Sequence, residues 1–371
     1  MIVLSAPTSV LLAGGGSAGH VSPLLSLADA LRRRHPDLRV TALGTQEGLE
    51  ARLVPAHGLE LRVVPKVPLP RRPSADLLRL PRRLKAAIDA AGAAIDETGA
   101  DVVVGFGGYV STPAYLAARR RGVPVVIHEQ NARPGLANRL GARWAQAVAT
   151  TFSSTSLRGA QRVGMPLRRA VATLDRAATR PEALTQLGLR DGLPTVLVTG
   201  GSLGAQRLNE AFAARVAQLS AAGIQVLHVT GLGKEFVAEV PQGGAPYVVV
   251  PYLDRMELAY AAADLVVARA GANTVCELTA VGLPAVYVPL PIGNGEQRLN
   301  VADVVAVGGG LVVDDAALTP EWVDAELVRL ATDAPRLAEM AAAARALGEP
   351  AADERLADLV DAAAAHGRGR S

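Results

Sequence analysis

Val10-Leu11-Leu12-Ala13-Gly14-Gly15-Gly16-Ser17-Ala18-Gly19-His20, continued by a helical run over residues 23–34, decides the fold. The four apolar residues have the length of a buried strand, the glycines supply a tight turn, and the longer run after them predicts a helix. Strand, glycine turn and helix together open a doubly wound parallel sheet. Working outward, the rhythm recurs, with strands expected at 39–43, 61–64, 101–104 and 123–127 and helices at 74–97 and 112–121. It restarts after Arg168 with strands at 195–199, 225–230, 247–250, 265–268, 285–288 and 311–313 and helices at 205–220 and 320–331. Apolar strands without clean alternation, each followed by a helix, imply α/β architecture with parallel sheets covered on both faces. The expected division is an N-terminal domain over 1–165, a second doubly wound domain over 166–345, and a C-terminal helix and tail over 346–371 packing back on the first.

The composition narrows the function classes. At 371 residues the chain suits two domains, and one cysteine, Cys276, permits neither an intramolecular disulfide nor a thiolate metal cluster. Aromatic residues make up 3%. That leaves few rings to stack single-stranded bases, so no nucleic-acid partner is expected. The basic excess is small, 38 Lys+Arg against 35 Asp+Glu, and argues for no partner by itself. No charged segment followed by an apolar stretch opens the chain, so no secretory signal is read. Uncharged stretches at 102–118 and 278–295 are broken by Gly and Pro, as in packed strand–turn–helix units rather than membrane spans.

Glycine turns follow strands three times: Gly14 to Gly19, Gly105-Phe106-Gly107-Gly108, and Gly200-Gly201-Ser202-Leu203-Gly204. Backbone N–H groups at such turns approach an anion, and the helix N-terminus adds partial positive charge. One loop alone is as consistent with a bare tight turn; three in one chain point to a phosphate-bearing ligand. Gly14-x-Gly16-x-x-Gly19 formally matches the dinucleotide fingerprint of a dehydrogenase. That reading wants an acidic residue capping the second strand, where Leu43-Gly44-Thr45-Gln46 stands, so the fingerprint is incomplete.

Four segments together, Gly14 to His20, His128-Glu129-Gln130-Asn131, Gly200 to Ala205 and Glu296-Gln297-x-x-Asn300, make the chain resemble the MurG family of UDP-N-acetylglucosamine transferases. The resemblance extends through Leu53-Val54-Pro55-x-His57-Gly58 and Gly105-Phe-Gly-Gly-Tyr109 to the last helix. It implies the GT-B fold, two Rossmann-like domains facing a cleft, and transfer of N-acetylglucosamine from UDP-GlcNAc to a polyprenyl-diphosphate-linked muramyl peptide. It also implies no cofactor, a peripheral place on the cytoplasmic face of an anionic membrane surface, and other cell-wall enzymes as partners. Carried over by position, the donor contacts are Ser17, Ala18, Gly19, Asn131, Arg168, Ser202, Leu253, Ala272, Asn273, Thr274, Glu277 and Gln297. Leu203, Asn273 and Glu296 depart from the family's usual residues at their positions.

The residue chemistry fits that expectation. Glu277, early in its helix, can accept two hydrogen bonds from a ribose diol, although a helix-stabilising charge would look the same in sequence. No Asp-x-Asp triplet occurs to hold a divalent ion against a diphosphate, so helix N-termini and Arg168 are expected to stabilise the leaving UDP without metal. His20, at a helix start where the dipole disfavours imidazolium, is the candidate general base; the plainer alternative is a loop hydrogen bond. His128 and Glu129 are expected to shape the site rather than ionise. Between Lys66 and Lys85 lie Arg71, Arg72, Arg79, Arg82 and Arg83 with Asp76 as the one acid, a basic patch suited to an anionic leaflet or simply a solvated helix face. The rival enzyme of the same fold is a UDP-GlcNAc 2-epimerase, which needs a pair of acid/base carboxylates that the sequence does not display.

Overall fold

The computed structural model describes residues 7–67, 76–201, 205–292 and 294–368. The chain divides into two compact units, one of residues 1–168 with 351–371 and one of residues 169–350.

The first unit runs β1 (Ser9–Ala13), α1 (Ala18–Arg34), β2 (Arg39–Gly44), α2 (Glu50–Ala56), β3 (Glu60–Val63), α3 (Asp76–Thr98), β4 (Val102–Gly105), α4 (Ser111–Arg121), β5 (Val125–Glu129), α5 (Leu136–Gly141), β6 (Ala147–Thr150) and β7 (Ala160–Arg162). Its sheet has the order β3-β2-β1-β4-β5-β6-β7, and every pairing is parallel. Val10 and Leu12 pack with Leu24, Leu27 and Leu31 of α1, while Leu11 and Ala13 face Ile88, Ala91 and Ile95 of α3. Both faces are therefore buried, which is why the strand reads as an unbroken apolar run.

The second unit opens with α6 (Arg169–Ala172) and α7 (Arg176–Gln186). It continues through β8 (Thr195–Thr199), α8 (Gln206–Ala213), α9 (Val216–Ala221), β9 (Gln225–Val229), β10 (Tyr247–Val250), α10 (Met256–Ala262), β11 (Leu265–Ala268), α11 (Ala272–Val281), β12 (Ala285–Tyr287), α12 (Glu296–Asn300), α13 (Ala302–Ala306) and β13 (Gly310–Val312). Its sheet order is β10-β9-β8-β11-β12-β13, again all parallel. In each sheet the order reverses beside the first strand, between β1 and β4 and between β8 and β11. The carboxyl ends of those strands are where a doubly wound sheet opens its crevice.

The last helix, Ala352–Arg368, packs on α1 in the first unit. Arg33 and Arg34 reach Asp353, Glu354, Asp358 and Asp361. Such partly exposed pairs are worth about 0–1 kcal/mol each. Leu356 and Val360, each 0% exposed, contribute about 1.5–3 kcal/mol apiece. Apolar burial holds the helix, and the charges set its register.

Several elements differ from the sequence reading. β6 and β7 were not expected, because Ala147-Val-Ala-Thr150 carries little strand signal of its own and pairs only because β5 presents an edge. The expected helix over 205–220 is broken at Arg215, whose φ of −127° and ψ of 15° leave the helical region. The guanidinium there bonds Asp324 (2.6 Å) and Glu321 (3.2 Å). The stretch 320–331 is helical throughout but widens into a π segment over Val323–Leu327.

Candidate active site

In the first unit the glycine loop turns into α1 through Ser17, the N-cap, with φ −143°. Its hydroxyl does not cap the helix; Oγ lies 3.1 Å from His20 Nδ1. The same Nδ1 lies 3.0 Å from the Gly15 carbonyl oxygen. A carbonyl has no proton to give, so the hydrogen-bond network assigns the proton to Nδ1, and the neutral ring keeps Nε2 unprotonated. The loop after β4 closes over the ring. A Cβ at Gly107 (φ +91°) would lie 3.2 Å from His20 Nε2, and one at Gly108 (φ +82°) would lie 2.5 Å from the Gly15 oxygen. Only glycine permits that approach with that backbone. Burial is the largest influence on the ring and lowers its pKa below the ordinary 6.5, outweighing the Gly15 hydrogen bond and the charges of Glu129 and Glu50, which raise it. The neutrality expected of His20 thus has burial as its main cause, rather than the helix dipole alone.

At the end of β5, His128 and Glu129 are both buried. His128 Nε2 donates to the Gly164 oxygen (2.8 Å), and burial pushes its pKa down to about 4, so it stays neutral. Glu129 accepts from the N–H groups of Asn131 (3.0 Å) and Gly135 (3.0 Å) and from Asn138 Nδ2 (2.9 Å). It shapes the loop that carries Asn131, whose carbonyl also accepts from Thr155 Oγ1 at 3.1 Å. Ser17, Ala18, Gly19 and His20 are thus contiguous on one turn. Arg168 is exposed at the end of this unit.

In the second unit, α11 starts behind Gly271, with Ala272, Asn273 and Thr274 forming its first turn. Glu277 stands in the second turn, where the helix-terminus effect has largely decayed. Its Oε2 accepts a 2.6 Å hydrogen bond from the hydroxyl of Tyr260, a residue of α10 only 2% exposed. Gln297 lines a cavity of about 520 Å³ with Gly200, Arg269, Leu290 and Asp315. Its Oε1 accepts from the Leu290 N–H at 2.9 Å, leaving the side-chain NH₂ as the group to offer a ligand. Leu253 is half-buried just beyond β10. The α11 residues do not line that cavity, and Ser202, with its neighbour Leu203, lies outside the described residues.

Models of the glycosyltransferase family 28 N-terminal and C-terminal domains match residues 10–150 and 195–356. The chain belongs to glycosyltransferase family 28. It is 58% identical over 353 residues, 95% of its own length and 97% of the relative's, to the UDP-N-acetylglucosamine–N-acetylmuramyl-(pentapeptide) pyrophosphoryl-undecaprenol N-acetylglucosamine transferase of Streptomyces avermitilis. Among solved structures it is similar to MurG of Acinetobacter baumannii, with TM-score 0.76 and 30% identity over 95% of this chain and 99% of that one. The two parallel-sheet domains are those of the GT-B glycosyltransferases. A UDP-GlcNAc 2-epimerase from Neisseria meningitidis shares the architecture, with TM-score 0.66 over 95% of this chain and 99% of that one. At 12% identity that likeness shows the fold alone.

The structure also brings in groups that the sequence leaves unmarked. Glu50 accepts from the Gly16 N–H, the Tyr260 hydroxyl donates to Glu277, and the Arg269–Asp315 pair (2.6 Å) lines the Gln297 cavity, each joining residues far apart along the chain. For Glu50 a signal existed in the two glycines just before it, at 44 and 48, though nothing local says that they clear space for a carboxylate. Of the basic patch, Arg71 and Arg72 and the Arg79 side chain lie outside the described residues. Arg82, Arg83 and Lys85 are exposed, and Lys66 Nζ sits 5.8 Å from the ring centroid of Tyr109, itself 45% exposed.

Proposed function

We infer that this family 28 chain is an inverting transferase that moves N-acetylglucosamine from UDP-GlcNAc to the 4-hydroxyl of the muramyl sugar of a polyprenyl-diphosphate-linked muramyl peptide, the step from lipid I to lipid II in peptidoglycan synthesis. The observation that carries the reading is the 58% identity over 95% of the chain to a transferase whose name specifies that donor and acceptor. In the reaction, the acceptor oxygen attacks the anomeric carbon from the face opposite the nucleotide. The new C–O bond forms as the bond to the β-phosphate breaks, and the electron pair leaves with UDP. The hydroxyl proton passes to His20 Nε2, the ring atom that the Gly15 contact leaves able to accept it. A positioned base of this kind contributes roughly 10²–10⁴-fold.

The donor is held mainly by the second unit. Glu277 accepts from the ribose diol, Gln297 donates to sugar hydroxyls, and the N-terminus of α11 with Ala272, Asn273 and Thr274 faces the diphosphate. Ser202, Leu253, Ser17, Ala18, Gly19, Asn131 and Arg168 complete the donor contacts, and the leaving charge is met by backbone dipoles and Arg168 rather than by metal. No helix among the described residues is long and apolar enough to cross a membrane. The basic groups from Lys66 to Lys85 support docking on the anionic cytoplasmic leaflet, at roughly 1 kcal/mol per side chain near the surface. There the enzyme would also meet other cell-wall enzymes.

The test supplies labelled UDP-GlcNAc with and without the lipid-linked acceptor in anionic vesicles. Label entering the lipid only when acceptor is present is the expected result. Conversion of UDP-GlcNAc alone into its C2 epimer would instead establish the epimerase.

A further inference from the structure

Glu50 opens a helix of seven residues, a place where a carboxylate ordinarily points into solvent, yet it is 0% exposed. Its partners are N–H and O–H groups rather than a cation. Oε1 accepts from the Thr45 N–H (2.9 Å) and Thr45 Oγ1 (2.8 Å), and Oε2 accepts from the Gly16 N–H (2.8 Å). Three glycines clear the space it fills. A Cβ at Gly15 would lie 2.3 Å from a carboxylate oxygen, one at Gly48 2.1 Å, and one at Gly44 2.4 Å from Cγ. Burial pushes the carboxyl pKa up, but the Gly16 and Thr45 hydrogen bonds outweigh it and hold the group below the usual range, so it is ionised at neutral pH.

A buried charge without a counter-ion costs stability that an apolar side chain would not, so its presence at this loop calls for a role. In the first glycine loop the anion bound by the Gly16 N–H is the protein's own. The next carbonyl back, that of Gly15, is the acceptor that sets the His20 tautomer. Glu50 and Glu129 are the charged groups acting on the His20 ring, and both favour its protonated form.

We propose that Glu50 is a positioning residue for His20: it anchors the Gly14–Gly16 turn so that the Gly15 carbonyl holds the imidazole with Nε2 unprotonated, and its charge favours the imidazolium that forms when the acceptor's proton arrives. The proposal rests on His20 being the base, and the test separates the two. Histidine labelled with ¹⁵N in the full chain reports the tautomer and titration of His20 directly, with His20→Ala identifying its resonances. In Glu50→Gln the charge is lost and an NH₂ group is set against N–H donors. The expected result is loss of the single tautomer and a His20 midpoint moved to lower pH. Turnover should fall about 10-fold or more while the Michaelis constant for UDP-GlcNAc stays within about twofold, as for a group acting in the transition state. Glu50→Asp, which keeps the charge, should return the midpoint toward the wild-type value.

A folded Glu50→Gln variant with unchanged His20 tautomer and midpoint overturns the proposal, whatever its turnover. If that variant does not fold, Thr45→Val removes one donor to the carboxylate, and an undisturbed His20 there overturns it equally. Undiminished turnover in His20→Ala would instead remove the base assignment and the catalytic consequence, while the spectra still decide whether Glu50 sets the ring.

Discussion

Replacing Glu277 by Ala tests the donor site through one contact. Two hydrogen bonds from a ribose diol to a carboxylate are charge-assisted, and losing them costs about 1.5–3 kcal/mol, or about 10- to 150-fold in UDP affinity. The structure adds a second handle. The Tyr260 hydroxyl donates to Glu277 Oε2 at 2.6 Å from an almost fully buried ring, so Tyr260→Phe removes the anchor with minimal loss of packing. Water replaces part of that bond at a half-buried carboxylate, so the expected cost is about 0.5–1.5 kcal/mol, a few-fold to 10-fold. Because Tyr260 acts on UDP only through Glu277, the double variant should bind UDP as Glu277→Ala does, within about 0.3–0.5 kcal/mol. Titration calorimetry with UDP measures all four proteins, and 2′-deoxy-UDP supplies the control, since it should discriminate against wild type but not against Glu277→Ala. An unchanged UDP affinity in a folded Glu277→Ala protein would place the ribose elsewhere. Strictly additive losses in the double variant would show that Tyr260 works by another route.

Transfer should persist in excess EDTA, as the absence of an Asp-x-Asp triplet predicts; complete loss restored by Mg²⁺ would show that the protein alone does not carry the phosphate charge. His20→Ala should lower turnover by ~10²-fold or more with little change in donor affinity and should abolish the acidic limb of the pH–rate profile. A retained limb with weakened UDP binding would make the histidine part of the scaffold. Acid should weaken both units. Burial pushes His128 in the first down to about 4 and His228 in the second down to about 3, from an ordinary 6.5. A lowered folded pKa gives stability that is complete above the unfolded value and lost as pH falls below it. The loss is about 2 kcal/mol per histidine at pH 5. Denaturant titrations at pH 7.5 and pH 5 measure it, and equal stability at the two pH values would mean that these rings protonate in place.

What the sequence determined by itself is local chemistry in a repeating order. Val10 to His20 carries strand, turn and helix start within eleven positions, and the same three-part signal after β4 and β8 specifies two parallel sheets. His20, Glu277 and Gln297 stand out as candidates in the sequence because each follows a glycine or proline turn that ends a strand. What only tertiary structure decided is which distant groups meet them. That Nε2 of His20 accepts depends on the Gly15 carbonyl and on the distant loop of Gly107 and Gly108 closing over the ring. That Glu277 is held depends on Tyr260, one α/β unit earlier. β6 and β7 exist because a sheet edge was waiting, and the last helix leaves the second unit to bury Leu356 and Val360 against the first. Glu50 is the sharpest case, since nothing in its local sequence marks a buried carboxylate. Three glycines, at 15, 44 and 48, are brought together by the β1–β2 pairing and leave a space shaped for its carboxylate. A periodic pattern encodes the propensity of each segment, whereas a buried polar contact is chosen by desolvation, which acts only once the segments have packed.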